Sequence, residues 1–167
     1  AVAGITSPAQ TGAVSITSLS GGGSLTVTNG ALSGTSLSVT QLNTSAGTTV
    51  TASTGFTVAP ATGTTDTIAG VLAGNGTFTK NGAGTTVLSG ANTYAGATTV
   101  AAGVLSVSAD SNLGTAPGSA TAGSLVLNGG TLSVTNAAAL KSSAGTLTVN
   151  GGTLDINGVT LNTLTSM

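Results

Sequence analysis

At 167 residues the chain is long enough for one domain with a real core. It carries two basic and three acidic residues, a net charge of −1, and no His or Cys. Such a balance excludes electrostatic capture of nucleic acid or anionic lipid, and it removes a disulfide framework and zinc ligation. The charged residues are Asp66, Lys80, Asp110, Lys141 and Asp155, so the surface has to be wetted by hydroxyls and amides. Thr is the commonest residue, which with abundant Val argues against disorder. No apolar run approaches the ~18 residues that a membrane helix needs. The first residue is Ala1, which fits a removed secretory signal or a fragment.

Residues 1–23 are the least patterned part, with Ile5, Val14, Ile16 and Leu19 as inward candidates. An opening strand or two is expected there, closed by Gly21-Gly22-Gly23. From Ser24 the alternation is clear: Leu25 and Val27, then Leu32, then Leu37 and Val39, broken by Asn29-Gly30 and Gly34. Period two predicts strands with one face inward. Val50, Phe56 and Val58 continue the theme, Pro60 closes that run, and Ile68 and Val71 follow.

Residues 74–105 repeat short apolar or Thr runs between Gly and Asn-Gly punctuation, with Phe78, Leu88, Val100 and Leu105 as core. A polar loop runs from Ser108 to Gly123, with a short helical turn expected around Ser111 to Leu113. Beyond it, 124–132 (SLVLNGGTL) is echoed by 146–154 (TLTVNGGTL), an offset of 146 − 124 = 22 residues. Residues 24–32 and 99–107 share the layout of strand, Gly turn, strand. A period near 20 residues with Gly or Asn corners predicts a β-solenoid. At roughly 20 residues per turn the chain makes about eight turns, a coil about 40 Å long at the spacing between strands. The rival reading of Leu-Asn-Gly-Gly-Thr-Leu is a β-hairpin in an antiparallel sandwich. Leu161 to Leu164 still read as strand.

Residues 74–105 resemble the autotransporter-associated β-strand repeat of bacterial surface proteins, roughly G-x-G-x-L-x-K-x-G-x-G-T-L-x-L-S-G-x-N-T-Y-x-G-x-T-x-V-x-x-G-x-L. Gly74, Gly76, Lys80, Gly82, Gly84 and Thr85 fit its first part; Leu88, Ser89, Gly90, Asn92, Thr93, Tyr94 and Gly96 fit the middle; Thr98, Val100, Gly103 and Leu105 complete it. Phe78 replaces the usual Leu, and Thr86-Val87-Leu88 the usual Leu-x-Leu. A looser likeness spans 64–157. The resemblance implies an all-β chain, a right-handed parallel β-helix forming one domain over 1–167, exported and displayed at the bacterial surface or secreted. No outer-membrane barrel strands are read in 161–167, so a passenger fragment, or a relative that uses the repeat without the barrel, is expected.

The residues offer little to catalysis. Without His, Cys, Glu or Arg the usual nucleophiles, bases and metal ligands are missing. Asp66, Asp110 and Asp155 read as isolated solubilising or corner carboxylates, so no catalytic, cofactor-binding or metal residue is assigned. Gly74-Asn75-Gly76 and Gly82-Ala83-Gly84 superficially suggest phosphate loops, but neither Lys-Ser/Thr nor a helix follows, and solenoid corners explain them. Lys80 reads as an edge-protecting or Asp-paired lysine. Tyr94 reads as covering a corner or filling the coil, its hydroxyl held by Asn or backbone. Asn43 and Asn75 open formal glycosylation sequons of little weight in so Asn- and Thr-rich a chain. Thr26/Thr28, Thr77/Thr79, Thr146/Thr148 and Thr163/Thr165 suggest an ice-binding ladder, but they lack one regular period. The expected function is a non-catalytic structural or adhesin-type module of a surface protein. The alternative is a self-assembling fibre subunit that stacks through open solenoid ends. Expected partners are further copies of the chain, the rest of a longer surface protein, or surface glycans, with neither nucleic acid nor membrane insertion.

Overall fold

The computed structural model describes residues 14–20, 23–115, 124–136 and 146–157, and in it the chain coils through seven stacked rungs. The first rung holds β1 (Val14–Ser20) and β2 (Ser24–Val27), and the second β3 (Ala31–Val39) and β4 (Gln41–Thr44). β5 (Thr49–Val58) and β6 (Thr65–Ile68) form the third; β7 (Val71–Ala73), β8 (Thr77–Lys80) and β9 (Thr85–Leu88) form the fourth. The last three are β10 (Thr98–Val100) with β11 (Val104–Val107), β12 (Leu125–Leu127) with β13 (Thr131–Val134), and β14 (Leu147–Val149) with β15 (Thr153–Asp155).

One sheet stacks β1-β3-β5-β8-β10-β12-β14, with β7 beside β5; the other stacks β2-β4-β6-β9-β11-β13-β15. Every pairing is parallel. This decides against the hairpin. β12 and β13 do not pair with each other, because Asn128-Gly129-Gly130 turns a corner between the two sheets. Gly129 takes φ 102° there, a conformation that an L side chain resists. The 22-residue echo is the register itself: Leu125 pairs with Leu147 and Leu132 with Leu154.

Alternation builds the core. In β4, β9, β11 and β13 every second residue is buried and its neighbours face outward. Stacking then aligns like with like. One interior column runs Leu37, Phe56, Phe78, Thr98, Leu125, Leu147, and another Ile68, Leu88, Val107, Val134. Phe78, Leu88, Val100 and Leu105 are buried as expected.

Three expectations are corrected. Seven rungs make six steps, not eight turns, and at ~4.8 Å per step the coil is about 29 Å long. The step is uneven, 42 − 25 = 17 residues early and 134 − 107 = 27 later, because long loops after β9, β11 and β13 add residues without adding rungs. Gly74-Asn75-Gly76 is not a corner between sheets. It separates β7 from β8, both of which pair with the one long strand β5. The backbone crosses β5 so closely that a Cβ on Gly74 would lie 2.2 Å from the Ala52 carbonyl oxygen, and one on Gly76 2.4 Å from the Gly55 nitrogen. The N-terminal part is less irregular than expected, since β1 pairs in parallel with β3 from Val14 to Ser20. Residues 1–13 and the strand read at 161–164 lie outside the described residues. The helical turn is present as a short 3₁₀ segment, Asp110–Leu113.

Candidate functional site

Chemistry-bearing side chains gather inside the coil, at the corner between β8 and β9. β8 reads Thr77-Phe78-Thr79-Lys80, so Lys80 shares the parity of Phe78 and points inward between Val58 and Val100 of the adjoining rungs. It is fully buried. Its ammonium donates three hydrogen bonds to corner carbonyls: Asn81 at 3.1 Å, Gly82 at 2.8 Å and Ala102, one rung on, at 3.1 Å. All three donors are therefore used, and the corners of the fourth and fifth rungs are tied together. Burial pulls the Lys80 amine down to about 8, against the attraction of Asp66. The expected exposed, edge-protecting lysine is corrected to a buried corner staple.

Asp66 corrects a second expectation. In β6, Thr65-Asp66-Thr67-Ile68, it shares the inward parity of Ile68 and is fully buried rather than solubilising. Neither of its carboxylate oxygens accepts a hydrogen bond, and the Thr86 hydroxyl oxygen, stacked directly on it in β9, is also unpartnered. Burial raises its pKa to about 6; the Leu42 backbone, the Lys80 charge and the Thr86 hydroxyl pull the other way.

A second polar seam lines the opposite corner. The Asn92 amide oxygen accepts from the Leu72 N–H at 2.8 Å, and its NH₂ donates to the Asn112 carbonyl. Asn112 accepts from the Ser108 and Ala109 N–H groups and donates to the Gly90 carbonyl at 2.9 Å. Two asparagines thus satisfy backbone groups where the long loops leave the ladder. Asn112→Ala strands three of these groups, and a loss of about 2–3 kcal/mol is expected, read as a lower urea midpoint at unchanged m-value. Beside the seam, Tyr94 is buried against Phe56 and Phe78, with its hydroxyl 2.6 Å from Thr98 Oγ1. It fills the coil as expected, though its partner is a threonine rather than Asn or backbone.

These residues do not make an active site. Asp155 sits exposed at the end of β15 and accepts from the Asn157 N–H, while Asp110 opens the 3₁₀ turn. Among the described residues no three His, Cys, Asp or Glu side chains come together. The outer faces carry hydroxyls without a repeating pair. Thr77 and Thr79 face Gly55 and Thr57 on one side, and Thr79 faces Thr99 on the other. The Thr-x-Thr pairs therefore do not stack into a two-column ladder; Thr163/Thr165 lie outside the described residues. The buried polar residues were legible only through strand parity, which a count of charges does not reveal.

The passenger-associated-transport-repeat matches at residues 78–107 and 141–156. Over 50 residues, 30% of this chain, the sequence is 50% identical to the Adhesin BmaC autotransporter of Brucella suis biovar 1 (strain 1330). The chain covers 2% of that relative's length. No solved structure matches this chain. The chain carries autotransporter passenger repeats, in agreement with the resemblance of residues 74–105.

Proposed function

We propose that the chain is a non-catalytic structural segment of a bacterial surface passenger, exported from the cell and of the adhesin type. The observation that carries this is the coincidence of the repeat with the coil: residues 78–107 of the match are the rungs from β8 to β11. The residues that give the repeat its character are turned inward. Lys80, Asn92, Tyr94 and Thr98 are buried and bonded to the coil itself. A motif of this kind sets rung geometry and leaves the outer hydroxyl faces free to vary with the ligand, for which surface glycans are the chemical class that fits. Antibody raised against this segment is expected to label intact producing cells. Labelling only after permeabilisation would overturn the reading.

A second reading, self-assembly into fibres, is favoured by one side chain. Val149 continues the interior column Val58, Lys80, Val100, Leu127, yet it is 47% exposed. An apolar column open at one rung is a template for a further rung, including one from another copy. Negative-stain microscopy of purified protein separates the two: filaments support the fibre, and monodisperse short rods count against it.

A further inference from the structure

We propose that Asp66 is a proton-operated joint inside the coil: uptake of one proton by its carboxylate creates a donor to the Thr86 hydroxyl in the next rung, and so tightens the third rung against the fourth. The geometry is specific. Asp66 and Thr86 are registered partners in β6 and β9, both fully buried, and between them hold three polar atoms without a hydrogen-bond partner. An ionised carboxylate can only accept, whereas a protonated one also donates. The groups packed around it are few: Lys80 from β8, the Leu42 backbone from β4 and Thr86 from β9. Lys80 is already committed to three corner carbonyls, and Asp66 accepts nothing from it. Elsewhere the same interior column holds Leu105, Leu132 and Leu154, so this joint alone carries a carboxylate.

The sign follows from burial. Asp66 is raised from 3.8 unfolded to about 6 folded, so its proton stabilises the fold fully below pH 3.8 and is lost as pH rises through 6. Lys80 runs the other way. Its amine falls from 10.5 to about 8, so its contribution is present above pH 10.5 and lost as pH falls through 8. Stability is therefore lowest between about pH 6 and 8, where most domains are most stable. The folded form binds the Asp66 proton roughly 100-fold more tightly than the unfolded form, about 3 kcal/mol.

The test is thermal unfolding followed by circular dichroism from pH 7.5 to 4.5, with the Asp66 carboxyl titration read by ¹³C NMR on the unmodified chain. Tm is expected to rise on acidification by on the order of 5–10 °C. Asp66→Asn is expected to abolish that rise, and Thr86→Val to reduce it. A Tm that falls with pH, a rise that survives in Asp66→Asn, or an Asp66 carboxyl titrating near 4 would overturn the proposal. The NMR reading holds even if a variant fails to fold.

Discussion

Lys80→Met is expected to lower the free energy of unfolding by roughly 3–5 kcal/mol at pH 7, and adding Asp66→Leu to the same chain is expected to recover most of that loss. The argument turns on what each change leaves behind. Met matches the aliphatic neighbours Val58 and Val100, so the column itself accepts it. It strips the Asn81, Gly82 and Ala102 carbonyls of their donor, but these lie at a part-buried corner where water substitutes. The larger cost falls on Asp66, which loses the one charge that favours its ionised form. A buried carboxylate without a counter-charge is the expensive species; a pair replaced by packed aliphatics is close to neutral. Leu at 66 continues the Leu105, Leu132 and Leu154 column. Urea titrations of the wild type, both single variants and the double variant give the coupling. Purely additive losses would mean that the two residues act independently. The Lys80→Met deficit is also expected to shrink below pH 6, where Asp66 gains its proton.

The rungs were legible from the chain because two periods coincide in it. Period two marks strands such as Val104–Val107, and the recurrence of Leu-x-Leu/Val-Asn-Gly-Gly-Thr-Leu marks the step between rungs. The number of rungs was not, because a loop such as 108–124 consumes residues that a mean period counts as turn. Gly74-Asn75-Gly76 looked like every other glycine corner; only its neighbours Ala52 and Gly55, 21 or more residues earlier, make it a bend within one sheet. Asp66 and Lys80 were misplaced for a different reason. Composition treats a charge as a surface group, whereas strand parity puts both on the inward face beside Ile68 and Phe78. Where composition and parity disagree, parity wins. The strand cannot turn one residue outward without turning its whole inward set out as well.

Tyr94→Ala is expected to cost about 3–5 kcal/mol, and Tyr94→Phe only about 1 kcal/mol. The ring stacks on Phe78 at 5.9 Å between centroids, meets Phe56 edge-on at 6.4 Å, and has Gly114 against it so closely that a Cβ there would lie 2.8 Å from Cε2. Deleting it opens a cavity between backbones held on both sides by hydrogen bonds, Tyr94 N–H to the Leu72 carbonyl and Thr115 N–H to the Tyr94 carbonyl. Such walls cannot collapse to refill the space, which puts the loss at the upper end of the range. Phe keeps the volume and gives up only the bond to Thr98 Oγ1. With one Tyr and no Trp in the chain, tyrosine fluorescence of the wild type reports this site alone, while circular dichroism follows both variants. Burial raises the phenol well above its usual range, so ultraviolet titration is expected to show no tyrosinate until the coil unfolds. Tyrosinate forming near pH 10 in a folded coil would place the ring in solvent, and a Tyr94→Ala loss below about 1 kcal/mol would remove it from the core.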